Sequence, residues 1–474
     1  MVYSRKLLAT FCSVSMNHLK NFSFSALVVI FLSVFIIFNA NTSLDVLAFL
    51  LIGFIILQKI SGEYFILILL TLRPMLDYWR DYNIFSIRFA DFNINAALSV
   101  FLLCWSILFF SQNFNYFKKV PLKVSWILFI IWCAASALYT YHLPSTITEV
   151  LKLTNLFGLF GICYIMSEKY GKSFQKNFLA AVIASACIPI AMGAYQLFTK
   201  TGMTIDEISN RIYGTFAHPN VLATFALVLL MVIVNELVKK KTAPEEEPFW
   251  LKIFAVILLG VIAFTYTRIA WIGAIILFLA VGLKYYKKMV LYTAGAIVLF
   301  YAVFYPLNRY LISNYNINLQ SNSILARLTS RNPDSDSINW RTEVVSKAIP
   351  LFRKKYLIGY GYGTFPRVWD DNKDIQNIWD NTSEAHDDYI KVALESGIIG
   401  LALFLLIFAS MLYKQVRIGL KTHFHNLIFI TSLIIYLVLS LSDNMLHHTP
   451  VIWWLWAIWG VWSYKTKNHP ERVA

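Results

Sequence analysis

The sequence predicts an all-α polytopic integral membrane protein, with about 12–14 transmembrane helices and one long, partly helical extracytoplasmic loop. Three observations carry this reading. Hydrophobic residues make up 58% of the 474 positions and charged residues only 14%, where a soluble domain carries about a quarter charged residues. The apolar residues gather in stretches near the length that a bilayer core of about 30 Å demands of a helix. The basic residues fall in alternate loops, as the positive-inside rule requires of a multi-pass chain.

The elements follow in chain order. Residues 1–20 are basic and lack a small-residue cleavage site. They read as a cytoplasmic N-terminus, with Asn21–Ala40 as an uncleaved first span rather than a signal peptide. Residues 21–306 hold spans near 23–40, 44–58, 62–76, 93–111, 124–142, 147–166, 175–198, 219–236, 249–266, 269–285 and 289–306. Those at 44–58 and 62–76 are short for a crossing, which is why the count is a range. Residues 307–395 form the long extracytoplasmic loop, 396–464 the C-terminal spans near 396–413, 424–441 and 450–464, and 465–474 a cytoplasmic tail. Lys118, Lys119 and Lys123, then Lys169, Lys172 and Lys176, then Lys239–Lys241, and later Lys414, Arg417 and Lys421 mark every second loop. Both termini are therefore expected in the cytoplasm. Long loops cross the membrane largely regardless of charge, and the aromatic residues of the 307–395 loop, among them Trp340, Phe365, Trp369 and Tyr389, predict order there.

The formal charge of +15 would suggest nucleic acid in a soluble protein. In a membrane chain it reflects basic cytoplasmic loops, and no nucleic-acid motif accompanies it. The five cysteines are scattered, without a CxxC pair or metal-ligand spacing, so neither a disulfide framework nor a metal site is expected.

Three outward-facing stretches carry residues capable of chemistry. "RIYGTFAHPN" puts Arg211 and His218 just before a span, where Pro219 and Asn220 are ordinary helix-start residues. "TYTRIAWIG" puts Arg268 in a tight turn between two spans. An arginine at that depth either snorkels to the interface or serves a function. The third is the long loop. There "SINWRTEVVSKAIPLFRKKYLIGYGYGTF" reads as an amphipathic helix carrying Arg341, suited to lie on the membrane surface, followed by a glycine-rich turn. Its end, "EAHDDYIKVALESGIIG", places His386 among acids before an apolar stretch. A helix start near Ser383 would put Ala393, Gly397 and Gly400 on a packed face below His386. Arginine's planar fork matches phosphate oxygens in pairs. The arginines therefore point to a diphosphate, neutralised without a metal.

In this order these stretches, with "HDDYIKVALESGIIGLALF", resemble the O-antigen ligase and O-antigen polymerase family of bacterial membrane glycosyltransferases. The resemblance runs over the C-terminal part of the chain, from "RIYGTFAHPN" onward; earlier residues match only as hydrophobic spans. It implies an undecaprenyl-diphosphate-linked glycan as donor, a glycan or lipid-A-core hydroxyl as acceptor, and metal-independent, inverting transfer with no cofactor. It also implies a place in the bacterial cytoplasmic (inner) membrane among its lipids, with the active site extracytoplasmic. By motif position, Arg211 and Arg268 would hold the diphosphate and His386 would act as base. Arg341, His218 and Tyr389 are supporting candidates. Ligases of the family often follow the histidine with Asn, Ser or Gln, whereas here Asp387 follows it. Ligase and polymerase both stay open. The rival class is a transporter or flippase for a lipid-linked glycan, which usually carries ionisable residues within its spans.

Overall fold

The computed structural model describes residues 62–87, 90–205, 208–242, 249–288, 290–291, 337–372 and 384–468. The expected spans at 23–40 and 44–58, most of that at 289–306, and residues 469–474 of the tail lie outside these residues. So do Ser383 and the loop segments 307–336 and 373–382.

The described chain is helical except for two short antiparallel hairpins. Helix α1 (Gly62–Leu76) leads into hairpin β1 (Asn83–Ile87) and β2 (Ala90–Asn93). Then come α2 (Ile94–Gln112), α3 (Lys123–Ala135), α4 (Leu143–Tyr170) and α5 (Lys172–Thr199). Hairpin β3 (Met203–Ile205) and β4 (Ile208–Arg211) precedes α6 (Pro219–Thr242), α7 (Phe249–Phe264) and α8 (Arg268–Tyr285). The described part of the long loop forms α9 (Ser337–Lys354) and α10 (Phe365–Asp371). Last are α11 (Asp388–Lys421), α12 (Leu427–Leu439) and α13 (Thr449–Asn468). Among the described residues, six helices are long and apolar enough to cross a membrane and three shorter ones are apolar. The hairpins were not expected from the hydropathy pattern, because each is shorter than any window that pattern resolves.

α13 is the axis of the bundle. Trp453, Trp454, Trp456 and Trp459 are all buried, and α13 packs along α4 and against α6. A helix buried on every side needs apolar residues all round, and "PVIWWLWAIWGVW" supplies them. Trp459 satisfies its indole N–H on Ser432 Oγ at 2.9 Å. The outer helices leave large apolar residues exposed, such as Ile107, Ile131, Phe198, Val256 and Ile275. Such a belt suits contact with lipid.

The loops sort to two ends. At one end Thr215 Oγ1 donates to Pro74 O (2.7 Å), Tyr141 N to Tyr360 O (2.8 Å), Ile212 N to Phe264 O (3.4 Å) and Asp387 N to Asn444 Oδ1 (3.1 Å). At the other, Lys119 pairs with Glu168 (2.7 Å) and Lys284 Nζ donates to His423 O (2.7 Å). The lysine-poor loops thus gather opposite the lysine-rich ones.

Two local expectations change. The inner face of α9 is Val344, Ala348 and Leu351, and it packs against Phe365, Trp369, Ala385 and Leu394 as a second small core. Part of the amphipathic stripe therefore faces protein, while Ile349 on its flank is exposed. α11 begins at Asp388, capped by the Asp387 side chain on Ile390 N (2.9 Å), so its start is later than Ser383. His386 lies before the helix, and its position does not share a helical face with Ala393 or Gly400. Gly397 breaks α11 with φ +69°. The polar groups around the break are taken up by the glycine-rich turn: Tyr360 N donates to Leu394 O, Gly361 N to Glu395 O, and Ile398 N to Tyr356 O.

Candidate active site

The site is built outward from Arg211, the last residue of β4. Its guanidinium is turned into the bundle and is 2% exposed. Nε donates to Thr265 O at 2.9 Å, and Nη2 reaches Asn220 Oδ1 at 3.3 Å and Thr267 Oγ1 at 3.4 Å. Thr267, just before α8, also donates to Asn220 Oδ1 at 3.2 Å. Asn220 in the first turn of α6 then passes the chain on, its Nδ2 donating to Asp443 Oδ2 at 3.3 Å. Asn220 N donates to His218 Nδ1 at 3.1 Å, which fixes that ring beside the chain.

Asp443 lies in the turn between α12 and α13 and is 3% exposed. Its Oδ1 is 3.5 Å from His386 Nδ1 and 3.1 Å from His448 Nε2. His386 Nδ1 is itself buried, while the side chain as a whole is 29% exposed. The His386 backbone has φ +47°, a region that histidine enters more readily than most residues. The segment after it is stitched to the α12–α13 turn. Asp388 N donates to Ser440 O (3.0 Å) and Ser440 Oγ donates to Asp388 Oδ2 (3.0 Å).

Burial sets the charge states. It pushes His218 down to about 4, with the Arg211 charge acting in the same direction. Burial also opposes charge on His448, but Asp443 outweighs it and the pKa rises. For Asp443 burial alone would raise the carboxyl, yet His448 and His386 hold it well below the usual carboxylate range. The centre is therefore an anionic Asp443 between two imidazoles, with a neutral His218 nearby.

A second charged group lies beside the first. Lys391 on α11 is 8% exposed, with Nζ 3.4 Å from Glu384 Oε2. Glu384 Oε2 also accepts from Asn444 Nδ2 at 2.6 Å. Glu149 and Lys152 on α4 pair at 2.6 Å, and Glu395 Oε1 accepts from Phe365 N at 3.0 Å.

The structure thus brings Arg211, His218 and His386 together. Arg268 is half-buried at the first position of α8, next to Thr267. Arg341 sits on α9, whose inner face is turned to α10 and α11. Tyr389 directs its hydroxyl to Leu437 O at 2.8 Å and so braces α11 on α12. Sequence reasoning missed Asp443, Asn220 and Thr267 as members of the site. The visible signal was "SDN" ahead of His447–His448 in a short turn between apolar spans, since polar residues at membrane depth are costly and need a reason.

The bundle and its polar end define a multi-pass membrane protein with a buried arginine–asparagine–aspartate–histidine chain where its lysine-poor loops meet. Residues 253–405 match the family model described as O-antigen ligase, so the chain carries a domain of that family. Glycosyl transfer of the O-antigen ligase or polymerase type is the activity this supports in general. The matched stretch runs from α7 into α11. It takes in Arg268, Arg341 and His386, while Arg211 and Asp443 fall on either side of it. No curated protein matches the chain.

Proposed function

We propose that this protein transfers a polyprenyl-diphosphate-linked glycan to an acceptor sugar hydroxyl at the outer face of the bacterial cytoplasmic membrane, as an O-antigen ligase or a surface-polysaccharide polymerase. The observation that carries the reading is the approach of His386 Nδ1 to the buried Asp443 Oδ1, at 3.5 Å. An anionic partner on Nδ1 fixes the tautomer whose Nε2 accepts a proton, and it steadies the imidazolium that forms.

His386 Nε2 takes the proton of the acceptor hydroxyl. The hydroxyl oxygen bonds to the anomeric carbon from the side opposite the diphosphate. The carbon–oxygen bond to phosphate breaks, and its electron pair leaves on the diphosphate, so the anomeric centre inverts. A diphosphate is already an activated leaving group, so positioning, charge neutralisation and a base are enough without a metal. Arg268 and Arg211 supply the positive charge. Two of the Arg211 nitrogens are held by Thr265, Asn220 and Thr267. Its part is therefore a fixed charge and the alignment of Asn220 and Asp443, and Arg268 is assigned the larger share of direct phosphate contact.

The test is glycan transfer by purified protein from a defined polyprenyl-diphosphate donor. His386→Ala, correctly inserted, should lose transfer, and full-length product from it would sink the base assignment. Arg268→Lys should raise the donor KM, because lysine lacks the paired fork; an unchanged KM would remove the diphosphate role.

A further inference from the structure

We propose that the cavity walled by α1, the β1–β2 hairpin, α2 and α4 binds an acid-bearing sugar unit of the glycan substrate, seated by Arg73, Arg80 and Lys152. The word substrate rests on the transferase reading; the binding itself does not.

The cavity has a volume of about 440 Å³, within the usual range for ligand pockets of roughly 300–1,000 Å³. His448 forms part of its wall, and His448 Nε2 sits 3.1 Å from the Asp443 oxygen that also faces His386. The cavity therefore adjoins the proposed reaction centre through a shared carboxylate.

Its charges favour an anion. The wall carries Arg73, Arg80 and Lys152 against one carboxylate, Asp77. Asp77 is engaged by Arg73 Nη1 at 3.0 Å. Lys152 has Glu149 at 2.6 Å, and Arg80 has the exposed Asp81 at 3.5 Å.

Arg73 is the anchor. It is 2% exposed and rigidly held, with Nη2 on Thr449 Oγ1 at 2.5 Å and its guanidinium over the Trp453 ring at 5.6 Å. Its Nε is nevertheless buried without a hydrogen-bond partner, and so is Asn95 Oδ1 on the same wall. Buried donors and acceptors are rarely left unmade, because the desolvation cost is then unreturned. One unmet donor on a guanidinium and one unmet acceptor on an amide ask for a ligand bearing both an acid oxygen and a hydroxyl. A sugar acid has both. A neutral sugar brings no acid oxygen to Arg73 Nε, and a free phosphate leaves most of the cavity unfilled.

The experiment is calorimetric titration of the full-length protein in detergent with tri-galacturonate, maltotriose and inorganic phosphate. Tri-galacturonate should bind at least about tenfold more tightly than maltotriose. Arg73→Gln would also cut the tie between α1 and α13, so the decisive variants are Arg80→Gln and Lys152→Gln. Each should weaken tri-galacturonate by about tenfold, while His386→Ala leaves its affinity unchanged. Equal affinity for maltotriose, or wild-type affinity in both charge variants, overturns the proposal. Phosphate matching tri-galacturonate in affinity reduces the cavity to a plain anion site and overturns it too. Wild-type protein that binds tri-galacturonate yet transfers no glycan would refute the transferase reading and leave the cavity assignment standing.

Discussion

Asp443 meets both His386 and His448 through one oxygen, so removing its charge strikes both rings at once. Asp443→Asn keeps the shape and should lower the glycan-transfer rate by about 10²–10⁴, the usual worth of a positioned acid–base group. His218 gives a second prediction at this scale. Its folded pKa of about 4 lies below the ordinary 6.5. The unfolded chain therefore takes the proton first as pH falls. The stability carried by neutral His218 is complete above about 6.5 and is lost as pH falls toward 4. His448, raised by Asp443, works the other way: its contribution is full at low pH and fades as pH rises through its folded value. Thermal scans between pH 7 and pH 4 should show a falling midpoint, and His218→Asn should flatten that fall. Asp387 also takes on a new meaning. It is the residue at which the chain departs from the ligase pattern, and it is the N-cap of α11. Asn and Ser cap helices about as well as Asp, so this departure keeps the capping chemistry. Asp387→Asn should be near neutral in thermal stability, while Asp387→Ala should cost about 1 kcal/mol.

At the scale of elements the broken helix α11 is the most sensitive part. A Cβ on Gly397 would overlap Leu357 O, and φ +69° disfavours any side chain there. Gly397→Ala should therefore destabilise by about 1–3 kcal/mol and loosen the loop that carries His386, read as a lower thermal midpoint with reduced transfer. The same element shows what a sequence can and cannot disclose. The apolar stretches of α4, α5, α6 and α8 were legible because span length and hydropathy are local properties. Arg211, His218 and His386 were legible because histidine and arginine beside a span are uncommon and lay in ordered motifs. Asp443 and Asn220 were not. Asn220 looked like a helix-start residue, and Asp443 belongs to the site only because the turn after α12 folds back on residues 384–388. The charges of α11 were also overlooked. Asp388, Lys391 and Glu395 precede the apolar run, so only the tertiary packing reveals that all three are buried.

For the whole molecule, the separation of lysine-poor and lysine-rich loops makes a topological prediction. A cysteine at Tyr82, exposed at the site end, should react with an impermeant maleimide in spheroplasts. One at Lys172, exposed at the opposite end, should react only after permeabilisation. The reverse pattern would invert the assigned orientation. The break at Gly397 has a consequence at this scale as well. Unbroken, Asp388–Lys421 would be about 51 Å long at 1.5 Å per residue, well beyond the ~30 Å hydrocarbon core. Divided at Gly397, its apolar part, from Ile398 onward, is free to match the bilayer, and its charged part becomes a separate block held by the glycine-rich turn. The hinge thus acts as a depth gauge. It leaves the buried charges Asp388, Lys391 and Glu395 on the piece above the break, so a bilayer that thickens or thins should tilt the lower piece before it disturbs the upper one.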